Sequence, residues 1–100
     1  GHRILGRLTV EKMFSVPENV QHLGRTLGWD SYSSYSGNKG DLFSKSAVCH
    51  TGYTGTSIVI DPENDVAMIL LTNAVHPSDS GRTGRLRSAV ANLVAGSIMD

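Results

Sequence analysis

The sequence predicts an α+β domain: an antiparallel sheet of three to four strands with a C-terminal helix packed on one face. Three observations carry that prediction. Strand-like runs at residues 47–53, 56–60 and 66–72 follow one another closely. The last two are joined by Asp61-Pro62-Glu63-Asn64-Asp65, a hairpin signal in which proline presets one turn position and Asn64 tolerates a left-handed backbone. Finally, Leu86, Val90, Leu93, Val94 and Ile98 recur at helical spacing within residues 80–99, forming one apolar stripe.

In chain order, residues 9–14 read as a short helix, with Thr9 as N-cap, Glu11 in the first turn and Pro17 beyond the end. Residues 15–24 are a polar connector. Residues 25–32 read as a strand with Leu27 and Trp29 on one face, Trp29 in the core. Residues 33–45, rich in Ser, Gly and Asn, read as a loop. Gly55 marks the turn between the first two strand runs. The run 66–72 is apolar at nearly every position, which predicts an interior strand covered on both faces. The closing helix takes Ser80 or Thr83 as its cap and turns Arg82, Arg85 and Arg87 outward.

Composition narrows the function. The 100 residues are 39% hydrophobic and 18% charged with zero net charge, as in one small domain or part of a larger one. A chain of this length buries somewhat over about 60% of its unfolded surface, so its core is thin. Neutrality speaks against nucleic acid as a partner. The longest apolar run, residues 66–71, falls short of the roughly 18 residues a membrane span needs. The single cysteine, Cys49, excludes a disulfide within the chain and reads as a small packed residue. Cys49 and His50 are adjacent on a strand and point to opposite faces, so they do not form a metal site together. No metal or cofactor is expected. The abrupt start, without Met and almost directly into a helix, reads as an excised segment.

The informative stretch runs from Cys49-His50-Thr51-Gly52-Tyr53-Thr54-Gly55-Thr56-Ser57 to Pro77. The string HTGYTGTSIVIDPENDVAMILLTNAVHP, preceded by Leu27-Gly28-Trp29-Asp30, resembles the β-lactamase-related serine hydrolases. That group includes class C β-lactamases, D-Ala-D-Ala carboxypeptidases and family VIII-type esterases. The His-Thr-Gly triplet alone is weak, but the triplet, the Thr-Gly-Thr turn, the hairpin, the apolar strand and the Leu-Thr-Asn-x-x-His-Pro ending are specific together.

The resemblance implies that residues 50–53 lie on an edge strand beside a nucleophile. His50 takes the place of the lysine in many relatives and faces the substrate carboxylate or a catalytic tyrosine. Thr51 offers its hydroxyl to the substrate, Gly52 leaves room for it, and Tyr53 lends its backbone N–H to an oxyanion hole. Thr54 and Asn73 complete the candidate substrate contacts. His76 reads as a loop residue. Histidine switches charge near neutrality, so His50 predicts a steeper pH dependence than lysine would give.

The family's nucleophile, a Ser-x-x-Lys at a helix N-terminus, is not matched in context. Ser36-Gly37-Asn38-Lys39 has the letters but lies in a glycine-rich loop about 14 residues before the third motif, where the family has hundreds. Tyr32-Ser33-Ser34 and Tyr35-Ser36-Gly37 are equally poor matches to the second motif. Residues 1–100 are therefore expected to be the C-terminal portion of a β-lactamase-like domain, inactive alone. Its partner in the intact protein is a small-molecule substrate: a β-lactam, a D-amino-acid peptide or an ester. A non-catalytic module of a larger protein is the alternative. The isolated chain is expected to self-associate through an exposed sheet edge, and the resemblance implies a periplasmic or other extracytoplasmic location.

Overall fold

A computed structural model describes residues 1–78 and 81–99. Helix α1 (Arg7–Met13) and two 3-10 turns (Glu18–Leu23 and Ser36–Lys39) precede strands β1 (Val48–Thr51), β2 (Ser57–Asp61) and β3 (Val66–Leu70) and helix α2 (Thr83–Gly96). The sheet is antiparallel in the order β1-β2-β3. His50 lies opposite Ile58, and Val59 opposite both Cys49 and Met68. The α+β class with a C-terminal helix on a three-stranded sheet is as the sequence predicts.

Period-2 alternation explains which sheet face is closed. Along β2, Ser57, Val59 and Asp61 are buried and turn toward α2, while Ile58 and Ile60 turn away. The core between sheet and helix consists of Phe43, Ala47, Cys49, Val59, Met68 and Ala91, flanked by Val66, Val90, Val94, Ala95 and Ile98. Cys49 is packed there as expected, and burial pushes its thiol pKa up.

Several expectations are corrected. The central strand is β2. The apolar β3 is an edge strand, and Ile69 is 65% exposed because no element among the described residues lies over the face it shares with Ile58. Residues 25–32 do not form a strand. Thr26 N–H donates to Trp29 O and Thr26 Oγ1 accepts from Trp29 N–H, which folds the segment into a tight turn. Leu27 is exposed, and Trp29 is half-buried against Phe14, with ring centroids 6.3 Å apart. Only Asp30 meets the sheet, through an isolated bridge to Cys49.

The 33–45 loop contains the Ser36–Lys39 turn, and the 15–24 connector contains the Glu18–Leu23 turn. Lys39 Nζ donates to Ser31 O and Ala47 O, both at 2.6 Å, tying this loop to the start of β1. Helix α1 starts after Gly6 with no side-chain cap, so Thr9 is not its cap. In the β2–β3 hairpin, Asp65 rather than Asn64 takes the positive φ, 53°.

Helix α2 is also phased differently. Arg82 precedes it with no side-chain cap, Thr83 is its first residue, and Ser80 lies outside the described residues. Val90, Val94 and Ile98 face the core as expected, but Leu86 and Leu93 are exposed. The small Ala91, fully buried, takes the sheet-facing position and lets the helix approach closely. Arg87 turns inward, whereas Arg82 and Arg85 are exposed.

Candidate functional site

Strand β1 is an edge strand, and its backbone groups point alternately to β2 and to the open side. Cys49 N–H and C=O face outward and bond Asp30, at 2.9 and 2.8 Å. Gly52 N–H faces inward, to Thr56 O at 2.8 Å, and Gly52 O accepts from Gly55 N–H at 3.1 Å, closing the turn between β1 and β2. Among the described residues, no acceptor meets the Tyr53 N–H. Tyr53 is 83% exposed.

Gly55 fixes this turn. Its φ is 125°, and a Cβ there would overlap the backbone of Thr72, Asn73 and Ala74. The same close approach lets Thr72 Oγ1 donate to Gly55 O at 2.6 Å and Ala74 N–H to Thr54 O at 2.7 Å. The turn is thereby stitched to the segment that leaves β3.

Two hollows flank residues 50–52. The first, of about 360 Å³, lies over the uncovered sheet face and is lined by His50, Thr51, Gly52, Ile58, Ile69 and Leu71 among others. The second, of about 250 Å³, opens beside the turn and includes Tyr35, Asn38, Thr51, Gly52, Tyr53 and Arg87. Thr51 and Gly52 line both. His50 is exposed, with Nδ1 2.9 Å from Thr51 O. Thr54 is exposed in the turn but lines neither hollow.

Asn73 also lines neither hollow. Its Oδ1 accepts from Val75 and His76 N–H, and its Nδ2 donates to His76 O. The exposed His76 is a loop residue within this local network. Among the described residues, no group of three or more His, Cys, Asp or Glu could hold a metal ion.

Arg87, expected on the outward face with Arg82 and Arg85, instead reaches the turn after β1. Its Nη2 donates to Gly52 O at 2.9 Å and to Thr56 O at 3.0 Å. Arg87 Nε and Ser57 Oγ are buried without a hydrogen-bond partner among the described residues. The signal was available: Arg87 lies three, four and seven residues before Val90, Ala91 and Val94, on the inward face. Tyr35 and Asn38 reach the second hollow from the 3-10 turn, and no local pattern marks them.

The Beta-lactamase family model matches residues 6–93. The chain belongs to the β-lactamase family. It is 40% identical over 52 residues to a putative D-alanyl-D-alanine carboxypeptidase of Escherichia coli O157:H7, a match covering 50% of this chain and 12% of that protein. No solved structure matches the chain. Family membership and the carboxypeptidase relative support a serine hydrolase family. Among the described residues, no helix is long and apolar enough to cross a membrane.

Proposed function

We propose that this chain is the C-terminal portion of a serine hydrolase domain, and that residues 50–53 form one wall of its substrate cleft. The unpaired Tyr53 N–H at the open end of β1, beside a hollow lined by Thr51, Gly52 and Tyr53, is the observation that carries this reading. In the intact protein a serine from polypeptide outside these residues attacks a β-lactam, a D-amino-acid peptide or an ester. The Tyr53 N–H donates to the oxyanion that develops, where loss of one donor costs about 3–4 kcal/mol. Thr51 and Thr54 hydrogen-bond the substrate, and Gly52 lets it approach the backbone. His50 supplies the basic group that faces the substrate carboxylate or a catalytic tyrosine. Asn73 shapes the rim through the loop it braces.

Among the described residues, no serine hydroxyl is hydrogen-bonded to a lysine ammonium, the pairing this chemistry needs. Lys39, in the only Ser-x-x-Lys string of the sequence, has its ammonium directed at two carbonyls instead of at Ser36. The isolated chain self-associates through its uncovered β3 edge, and the intact protein works outside the cytoplasm, as its resemblance implies.

The test is labelling of the intact protein by a fluorescent penicillin and by a fluorophosphonate, with and without serine-to-alanine replacement in its upstream Ser-x-x-Lys. Covalent labelling that depends on that serine is expected. An intact protein with no Ser-x-x-Lys and no label would make the chain a non-catalytic module.

A further inference from the structure

We propose that Arg87 is a positioning residue for the Tyr53 amide. Its guanidinium grips and polarises the Gly52–Tyr53 peptide from the helix side, which makes the N–H on the other side a fixed and strengthened donor. This rests on the hydrolase reading above for its function, but the geometry stands independently.

Gly52 O and Tyr53 N–H belong to one peptide group. That group is planar and trans, so its C=O and N–H point in opposite directions. Pinning the oxygen toward α2 therefore aims the N–H at the open side of β1. Arg87 Nη2 reaches Gly52 O at 2.9 Å with a charged donor, and Gly55 N–H adds a second bond at 3.1 Å. Charged donors make the stronger hydrogen bonds, and a carbonyl that accepts one leaves its own N–H a better donor. The same Nη2 also holds Thr56 O, the acceptor of Gly52 N–H. One guanidinium thus spans both ends of the turn and fixes its width.

The burial of Arg87 Nε points the same way. An arginine on the sheet-facing stripe, with Nε buried and unpaired among the described residues, is costly where valine fills the equivalent positions 90 and 94. The cation lies in the wall of the hollow that also contains Thr51, Gly52 and Tyr53.

The experiment uses the intact protein carrying Arg87→Met, Arg87→Lys or Tyr53→Pro, with Arg85→Met as an exposed control. Chromogenic cephalosporin and p-nitrophenyl butyrate are the substrates, and the Tyr53 amide is followed by 15N–1H NMR. For Arg87→Met, kcat should fall about tenfold, short of the hundredfold or more that follows loss of an oxyanion donor, with KM within about twofold. Its Tyr53 amide proton should move upfield and exchange faster with solvent. Arg87→Lys keeps the charge and should recover part of both effects, and it carries the test if Arg87→Met does not fold.

An unchanged Tyr53 resonance in the two Arg87 variants would overturn the proposal whether or not the protein turns over either substrate. A rise in KM alone would overturn it too, because that marks direct substrate contact. If Tyr53→Pro keeps full kcat, the amide is no oxyanion donor and the hydrolase reading of the turn fails, while the NMR result still decides whether Arg87 polarises the peptide.

Discussion

At the scale of single residues, Asp61 and His50 show how differently two polar side chains serve one strand pair. Asp61 ends β2 with 0% exposure. Burial alone would raise its pKa, but bonds from Ser44 Oγ and N–H and from Asn64 Nδ2 and N–H outweigh that and hold it below the ordinary carboxylate value. A depressed folded-state pKa stabilises the fold above the unfolded value of about 3.9 and ceases to do so as pH falls through the folded value. Asp61→Asn should therefore cost about 1.5–3 kcal/mol at pH 7, the range for hydrogen bonds to a charged group, and its deficit should shrink on acidification below pH 4. Urea unfolding at pH 7 and pH 3 checks the sign, and an equal deficit at both would refute it. His50 sits exposed on the open strand instead. In the intact protein, His50→Ala should lower kcat/KM about tenfold while leaving thermal stability within about 0.5 kcal/mol, since the side chain lies on the surface. An unchanged kcat/KM would remove His50 from the cleft chemistry.

The turn at residues 52–55 and helix α2 behave as elements whose positions are set by contact with other elements. Gly55→Ala puts a Cβ into the backbone that leaves β3, at a φ that side chains rarely adopt, and should cost about 2–4 kcal/mol by thermal unfolding. On α2, Ala91→Leu should cost about 1–3 kcal/mol by overpacking the sheet contact, and Leu93→Ala should stay within about 0.5 kcal/mol because Leu93 is 75% exposed. The reverse order would restore the helix phase read from the sequence. That phase went wrong for a physical reason: the large Leu86 and Leu93 dominate any hydrophobic pattern, but the fully buried, sheet-facing position belongs to the small Ala91. The strands and their hairpins were legible because alternation and the Asp-Pro turn are local signals. The 25–45 region was not, since Thr26 folds its own backbone and Lys39 finds carbonyls eight residues away on either side. Of the candidate site, residues 50–53 are marked in the sequence by the resemblance to a family motif, whereas Arg87 reaches the turn across 31 to 35 residues of sequence.

At the scale of the whole chain, the balance between what is buried and what is left open decides its behaviour alone. The Cα radius of gyration is 14.3 Å, against about 13 Å for a compact domain of this length. Helix α1 buries none of its residues, and the largest fully buried side chains are Val48, Val59, Asp61 and Cys49, a thin core. Ile69 and Leu71 are exposed on or next to an edge strand whose outer backbone groups meet no partner strand among the described residues. An apolar edge of this kind is a template for pairing with another chain. The isolated 100 residues should therefore sediment as a dimer or larger species at tens of micromolar. Ile69→Lys should shift them toward monomer, since a lysine on the uncovered face opposes stacking and pairing without entering the core. A clean monomer for the unsubstituted chain would show that edge and face to be tolerated in water. Turnover of a chromogenic cephalosporin or a p-nitrophenyl ester by the same sample, above buffer, would be a separate and stronger contradiction, because it would require a nucleophile within residues whose one Ser-x-x-Lys lysine is bonded to Ser31 and Ala47.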